Sequence, residues 1–307
     1  MSIRFDGRVA IVTGAGVGLG RSHALGLAAR GAKVVVNDLG VGRDGAGQSS
    51  EAADAVVAEI EAMGGEAFAH GADVSDEAAV EDMVAQAVDR WGRVDIAVNN
   101  AGILLDKTFG KMEMRAFAKV VDVHLIGSAN VAHACWPHMR AQKYGRIVLT
   151  SSASGLYGNF GQSNYGAAKA AMLGLMNVLH MEGARDGIRV NTLAPTAATR
   201  MTADLLPEAA QELLAPETIT PGLLVLVSED APSQMIMGAG AGSYAETRIY
   251  ETRGITLMDE DNTPEAVAAR LNDIRDPQDQ EQLGDAFGQT RKYALSAAKA
   301  RGLKLDW

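Results

Sequence analysis

Short β-branched and aliphatic runs alternate with alanine-rich stretches along much of this chain, and this alternation limits the possible folds. Strands that alternate with helices form right-handed βαβ units, whose parallel sheet is covered by helices on both faces. The alternation therefore predicts an α/β fold with a doubly wound, Rossmann-type parallel sheet. The predicted strands are residues 8–13, 33–37, 66–70, 94–99, 145–150 and 188–193, with a seventh candidate at 235–237. The predicted helices are residues 18–30, 49–63, 76–90, 113–140 and 163–185.

The predicted sheet assigns residues 1–240 to one Rossmann-type domain and leaves residues 241–307 as a C-terminal extension. Within the extension, Asn262-Thr263-Pro264 predicts the start of a helix, because a capping residue precedes a proline in the first turn. Residues 291–304 are typical of a basic amphipathic helix. We expect this extension to pack on the core or on a partner subunit, and contact with a membrane is the alternative.

Composition argues against several classes of function. The 307 residues carry a net charge of −10, which disfavours a nucleic acid as the main partner. No apolar run reaches the ~18–20 residues that span a bilayer, and the first residues lack a signal peptide, so a cytoplasmic protein is expected. The single cysteine, Cys135, excludes an internal disulfide, and its apolar neighbours predict a buried thiol. His133 and His138 lack a third ligand, so no metal site is expected.

A glycine-rich loop, TGAGVGLG at residues 13–20, follows the first predicted strand and opens the first predicted helix. Glycines there let the backbone approach a pyrophosphate closely, and the helix presents its positive N-terminal end to the phosphates. Glycines also make ordinary turns, but this position in a βαβ unit is the one that a dinucleotide site requires. The candidate cofactor contacts in the loop are Gly14, Gly18, Leu19 and Gly20.

Asp38 ends the second predicted strand, where a carboxylate can accept hydrogen bonds from the adenosine ribose hydroxyls. The same charge repels a 2′-phosphate, so the sequence favours NAD over NADP as the cofactor. Arg21 and Arg43 lie close enough in sequence to leave NADP open.

More candidate cofactor contacts follow the third and fourth predicted strands, at the carboxyl edge where open α/β sheets bind ligands. Asp73 is placed to contact adenine, and Asn99 to contact the adenosine side of the cofactor. Each of these residues is also a good helix cap or turn residue. The candidates at this edge are Asp73, Val74, Asn100, Ala101 and Gly102.

Tyr165 and Lys169 are spaced i and i+4, which places them on one face of a predicted helix. A tyrosine has a pKa of about 10, and a neighbouring ammonium stabilises the phenolate and lowers that pKa. Ser152 precedes the pair and can hold a substrate oxygen near the phenol. The other five tyrosines have no lysine four residues on, which argues against a chance pairing. With the glycine loop, these residues predict hydride transfer at a carbonyl carbon.

The motifs TGxxxGxG, NNAG, Ser and YxxxK, in this order, resemble the short-chain dehydrogenase/reductase family. The resemblance covers residues 7 to about 240 and implies the fold, a dinucleotide cofactor and the roles given above. Longer strings, among them KYGRIVLTSSASGLYGNFGQSNYGAAK, are similar to the (3R)-hydroxyacyl-CoA dehydrogenases of this family. This similarity implies NAD-dependent oxidation of a (3R)-3-hydroxyacyl-CoA. A steroid or steroid-CoA substrate is one alternative, and a nucleotide-binding regulator without turnover is another.

The resemblance also brings out further positions. Many family members carry an asparagine that organises a relay water where this chain has His124, for which a relay and a core role are both open. Pro195 and Thr199 are implied to lie at the nicotinamide side of the site, although Thr196 replaces the usual glycine after the proline. Family members assemble through their two long helices, here 113–140 and 163–185, so a homodimer or homotetramer is implied.

Overall fold

A computed structural model describes residues 2–42, 49–198 and 208–306 of the chain. The chain forms two compact units, Met1–Glu246 and Thr247–Trp307. None of the described helices is long and apolar enough to cross a lipid bilayer.

The first unit is built on one sheet of eight strands in the order β3-β2-β1-β4-β5-β6-β7-β8. Neighbouring strands from β3 to β7 are parallel. The order reverses direction between β1 and β4, which opens the ligand crevice expected at such a switch point and confirms the predicted doubly wound sheet. The strands are β1 Val9–Thr13, β2 Lys33–Asn37, β3 Ala67–His70, β4 Ile96–Asn99, β5 Gly145–Thr150, β6 Ile188–Pro195, β7 Ile236–Gly240 and β8 Ser243–Thr247.

Strand β8 was not anticipated from the sequence. Only Ala241 and Gly242 separate it from β7, and both have a positive φ, 49° and 72°. A two-residue connection between neighbouring strands forms a hairpin, so β8 runs antiparallel to the rest.

Helices cover both faces of the sheet. They are α1 Gly18–Ala28, α2 Glu51–Ala62, α3 Glu77–Trp91, α4 Met114–Val121, α5 Gly127–Gln142, α6 Ala153–Tyr157, α7 Ser163–Gly183, α8 Glu208–Leu213 and α9 Thr220–Leu226. Side chains of β1 alternate between two core clusters: Val12 packs on the α1 and α2 side, and Ile11 packs on the α3, α5 and α7 side. Cys135 is fully buried in the second cluster, as predicted, and burial raises the pKa of its thiol to about 12.

The single helix predicted over residues 113–140 is wrong in one respect. A π turn at Asp122–Ile126 separates α4 from α5. Such a turn inserts an extra residue into the helical path, and it is often found at functional sites. Here it carries the buried His124, whose ring reaches the backbone of Ile103 outside the helix.

The second unit contains α10 Pro264–Ala269, α11 Leu271–Arg275 and α12 Ala286–Ala300. The predicted helix start is confirmed, because the Thr263 side chain accepts a hydrogen bond from the Ala266 amide at 3.2 Å. The basic amphipathic helix is also present as α12, and its Lys292 pairs with Glu251 at 2.8 Å and Glu281 at 3.3 Å.

Candidate active site

The loops that follow β1 and β4 are joined by hydrogen bonds. The Asn100 side-chain amide donates to the carbonyls of Thr13 at 2.9 Å and Gly14 at 3.2 Å. In return, the Thr13 hydroxyl accepts from the backbone amides of Asn100 and Ala101, both at 3.0 Å. Asn100 therefore holds the glycine loop in place, and its contact with a cofactor stays a prediction.

The glycine loop has no room for side chains at its closest approaches. A Cβ on Gly20 would lie 2.1 Å from the Gly14 carbonyl oxygen and 2.6 Å from the Asn100 amide nitrogen. Gly14 and Gly18 have φ values of 62° and 55°, which favour glycine. Leu19 lies between Gly18 and Gly20, and its side chain packs against the core and anchors the first turn of α1. The loop thus forms a narrow cradle of backbone amides at a helix N-terminus, which fits a pyrophosphate.

Asp38 closes the adenosine side of this cradle. Its two carboxylate oxygens accept from the Gly16 amide at 2.7 Å and the Gly40 amide at 2.8 Å. A Cβ on Gly16 would lie 2.8 Å from the Asp38 carboxylate. Arg21 is engaged elsewhere, in an ion pair with Glu59 at 2.5 Å. Arg43 lies outside the described residues.

The remaining edge candidates have partners within the protein. The Asp73 carboxylate accepts from the Ser75 amide at 2.9 Å and the Ser75 hydroxyl at 2.6 Å, the pattern of a turn. Val74 is buried, and its carbonyl accepts from Asn130 at 3.0 Å. Gly102 lies against His124, so closely that a Cβ there would be 2.2 Å from the imidazole Cε1.

Helix α7 and the end of β5 bring the predicted catalytic residues together. Lys169 is buried and donates to the Thr150 carbonyl at 2.6 Å, and its Nζ lies 5.7 Å from the centre of the Tyr165 ring. Ser151 supports this arrangement by donating to the Lys169 carbonyl at 2.7 Å. Ser152 is the N-cap of α6, where its hydroxyl accepts from the Ser154 amide at 3.2 Å.

The electrostatics of this cluster correct one expectation from the sequence. We expected Lys169 to lower the pKa of Tyr165, but the pKa of Tyr165 is raised. Burial of the phenol is the main cause, the Ser152 side chain opposes it, and the charge of Asp106 adds to it. Burial also lowers the pKa of Lys169 to about 7, so burial disfavours the ammonium form that would stabilise a phenolate.

His124 belongs to the same cluster. Its ring lies edge-on to the Tyr165 ring, with 5.2 Å between the centres and an angle of 86°. Its Nε2 lies 2.9 Å from the Ile103 carbonyl oxygen and 3.1 Å from the Ile103 amide nitrogen, whereas its Nδ1 is buried with no hydrogen-bond partner among the described residues. Burial first, and then the charge of Lys169, lower the pKa of His124 well below its usual value, so the ring is neutral.

Two side chains near this cluster were not among the residues that the sequence assigned to the site. Gln162 hydrogen-bonds to Asp106 at 2.8 Å, and Asn164 donates to the Leu105 carbonyl at 2.9 Å. Their only sequence signal is their position just before Tyr165. Pro195 is the last residue of β6, which runs two residues beyond its predicted end, and Thr199 lies outside the described residues. In the described part of the chain, no three His, Cys, Asp or Glu side chains are grouped so that they could hold a metal ion.

A dinucleotide cradle at the end of β1, beside a Ser-Tyr-Lys cluster at the end of β5, defines a dehydrogenase that acts on CH–OH groups. The short chain dehydrogenase family model matches residues 8–210, and the chain belongs to this family of NAD(P)-dependent oxidoreductases.

Among its relatives, the mouse peroxisomal multifunctional enzyme type 2 is 48% identical over 89% of this chain. The structure of the full-length enzyme of that name from Drosophila melanogaster superposes with a TM-score of 0.81 and 36% identity over 97% of the chain. The chain spans 37% of the mouse enzyme and 50% of the Drosophila chain. A second similar structure is a 7α-hydroxysteroid dehydrogenase complexed with NADH and 7-oxo glycochenodeoxycholic acid, with a TM-score of 0.70 and 31% identity. The match covers 78% of this chain and 95% of that one.

The cradle makes a direct prediction for Gly20→Ala. The new Cβ would collide with the Gly14 carbonyl, and relief of such overpacking costs about 1–3 kcal/mol. We expect NADH to bind about 5- to 100-fold more weakly, measured by fluorescence titration. Gly174→Ala in α7 is the control, because a Cβ there meets open space. Unchanged NADH affinity in Gly20→Ala would show that this loop does not bind the cofactor.

Proposed function

We propose that this protein oxidises (3R)-3-hydroxyacyl-CoA esters to 3-ketoacyl-CoA esters with NAD. The observation that carries the proposal is the Ser152, Tyr165 and Lys169 cluster beside the glycine cradle, in a chain 48% identical to a relative named peroxisomal multifunctional enzyme type 2. Another relative, from Saccharomyces cerevisiae, is named peroxisomal hydratase-dehydrogenase-epimerase and is 45% identical over 91% of this chain. A dehydrogenase that follows a hydratase acts on a 3-hydroxyacyl thioester.

Each residue of the cluster has a defined task in this reaction. Ser152 donates a hydrogen bond to the substrate oxygen and holds it beside the Tyr165 phenol, and the Tyr165 phenolate takes the hydroxyl proton. A dinucleotide held by the glycine loop would supply the hydride acceptor for the carbon that carries the hydroxyl, so the alcohol would become a ketone with release of one proton. Lys169, on the same helix face, supplies positive charge to the phenolate whenever it is protonated.

The NAD preference is supported by charge at the adenosine end. The Asp38 carboxylate repels a 2′-phosphate, and its hydrogen bonds to Gly16 and Gly40 hold it at the loop. The ion pair with Glu59 occupies Arg21, which would otherwise be available to a phosphate.

Two rival functions differ in substrate or in class. The 7α-hydroxysteroid dehydrogenase among the similar structures supports a steroid substrate. A nucleotide-binding regulator is disfavoured, because a protein without turnover has no need for a buried lysine beside a partly buried tyrosine.

The first experiment compares NADH formation from matched (3R)- and (3S)-3-hydroxyacyl-CoA esters and from 7α- and 17β-hydroxysteroids. We expect turnover of the (3R) thioester alone, and a kcat/KM for NAD at least about tenfold above that for NADP, which corresponds to one favourable charge contact. Oxidation of a steroid with silence on both thioesters would replace the proposed substrate. Silence on all four with intact NADH binding would favour the regulator.

The raised pKa of Tyr165 predicts a pH dependence. Oxidation needs the phenolate, which exists above that pKa, so kcat/KM for oxidation should rise with pH throughout the neutral and mildly alkaline range. Reduction of the ketone needs the phenol, so its rate should stay level over this range and fall only as the pH passes the raised pKa of Tyr165. Tyr165→Phe should lose at least about 100-fold in kcat while it still binds NADH. The exposed Tyr250→Phe serves as a control, and a Tyr165→Phe variant with wild-type kcat would exclude Tyr165 as the base.

We also propose that His124 takes part in proton transfer from Tyr165 and Lys169. Among the described residues, its Nδ1 is a buried polar atom without a hydrogen-bond partner, and so are both side-chain amide atoms of Asn99, the last residue of β4. A buried water between such atoms would satisfy them and pass a proton.

His124→Asn restores the residue that many family members carry, and His124→Leu removes the ring nitrogens. We expect His124→Asn to keep most of the oxidation rate and His124→Leu to lose about 10-fold or more, as measured by stopped-flow absorbance of NADH. Equal rates in His124→Leu and wild type would assign His124 to the core instead.

Assembly and location remain proposals. Exposed apolar side chains on and near the long helices, Ile126, Val178 and Met181, support a homodimer or homotetramer, which sedimentation of the purified protein can test. The extension is proposed to pack on the core or at a subunit interface. A cytoplasmic location stays a prediction, because the names of several relatives place those proteins in peroxisomes.

A further inference from the structure

A short segment, residues 104–111, lies against the residues just before Tyr165. The Lys107 amide donates to the Gly161 carbonyl at 2.9 Å, and the Asn164 side chain donates to the Leu105 carbonyl at 2.9 Å. The segment is therefore attached on both sides of Asp106, and this carboxylate has a defined position even though it is exposed.

Gln162 connects this segment to the catalytic serine. Its Nε2 donates to the Asp106 carboxylate at 2.8 Å, and its Oε1 accepts from the Ser154 hydroxyl at 2.8 Å. The Ser154 amide in turn donates to the Ser152 hydroxyl at 3.2 Å. A carboxylate only accepts hydrogen bonds, so the Gln162 amide must face Asp106 with its nitrogen and Ser154 with its oxygen. The order of donors and acceptors is therefore fixed along the link that runs from Asp106 through Gln162 and Ser154 to Ser152.

The charge at the start of this chain acts on Tyr165. Among the described residues, three ionisable groups act on the phenol: Lys169 from its own helix, His124 from the π turn and Asp106 from the segment 104–111. His124 is neutral because burial lowers its pKa, and burial weakens the charge of Lys169. Burial is the main cause of the raised pKa of Tyr165, and the negative charge of Asp106 adds to it and favours the protonated phenol.

We propose that Asp106 and Gln162 are positioning residues of this dehydrogenase, which hold the Ser152 hydroxyl and a carboxylate charge beside Tyr165. The inference rests on the proposed function, since it assumes that Tyr165 and Ser152 act on an alcohol. Neither side chain is assigned a contact with the substrate. Gln162 acts through Ser154, and Asp106 acts through Gln162 and through its charge.

The test separates charge from geometry. Asp106→Asn keeps an oxygen that can accept from Gln162 but removes the charge, so the pH midpoint of alcohol oxidation should move to lower pH. Gln162→Met keeps the length of the side chain and removes its hydrogen bonds. Gln162 then no longer holds Ser154, the residue whose amide donates to the Ser152 hydroxyl. We expect kcat to fall between about 10- and 100-fold in Gln162→Met, with unchanged affinity for NADH.

A second Gln–Asp pair supplies the controls. Gln86 donates to Asp82 at 2.8 Å on the exposed face of α3, away from the cluster. Asp82→Asn and Gln86→Met should leave the pH profile and kcat at wild-type values. Thermal melts of all variants check the fold. If Gln162→Met melts early, Asp106→Leu is a second variant at an exposed position, which removes the hydrogen bond between Asp106 and Gln162 from its other end. It should lower kcat in the same way.

The assay uses whichever secondary alcohol the wild type oxidises best, so that the two proposals fail separately. A wild type without (3R)-hydroxyacyl-CoA turnover overturns the proposed substrate and leaves this test intact on another alcohol. An Asp106→Asn pH profile that coincides with wild type overturns the role of the charge. A Gln162→Met variant with a raised KM for the alcohol and a normal kcat overturns the positioning role, because the amide would then bind substrate.

Discussion

The joint between the β1 and β4 loops is the constraint on which the rest of the site depends. Four hydrogen bonds join Asn100 and Ala101 to Thr13 and Gly14 across the switch point of the sheet, and the glycine loop takes its shape from them. Because Gly20 lies in contact with that joint, any side chain there would displace the loop. The crevice at which a dinucleotide would meet the catalytic cluster exists only while these two loops keep their mutual distance.

Burial determines the chemistry of the cluster next to this joint. Tyr165, Lys169 and His124 are each shifted toward their neutral forms, because a charged group costs more free energy away from water. A neutral tyrosine can donate a proton, but it accepts one only as a phenolate. A bound cofactor and substrate must supply the interactions that stabilise this phenolate. The charge of Asp106 adds to the preference of Tyr165 for its neutral form. The hydrogen bonds that lead from Asp106 to Ser152 keep the serine in place.

Most of the fold and the placement of the candidate catalytic residues could be predicted, because local sequence signals specify them. The strand pattern predicted seven of the eight strands to within a few residues, and the YxxxK spacing predicted the shared face of Tyr165 and Lys169. The π turn at His124 could not be predicted, since residues 113–140 read as continuous helix and the break depends on the contact with Ile103. The direction of the Tyr165 pKa shift also required the structure, because burial is a property of all the surrounding elements.

The sequence by itself determined the order of the elements, the glycine cradle and the candidates for proton transfer. These features depend on residues that are near neighbours in the chain, where spacing and residue type decide the geometry. Only the tertiary structure decided that Asn100 holds the glycine loop, that Arg21 is engaged with Glu59, and that Gln162 joins Asp106 to Ser154 beside Ser152. Each of these contacts joins residues far apart in sequence, so its existence depends on how the sheet and helices pack.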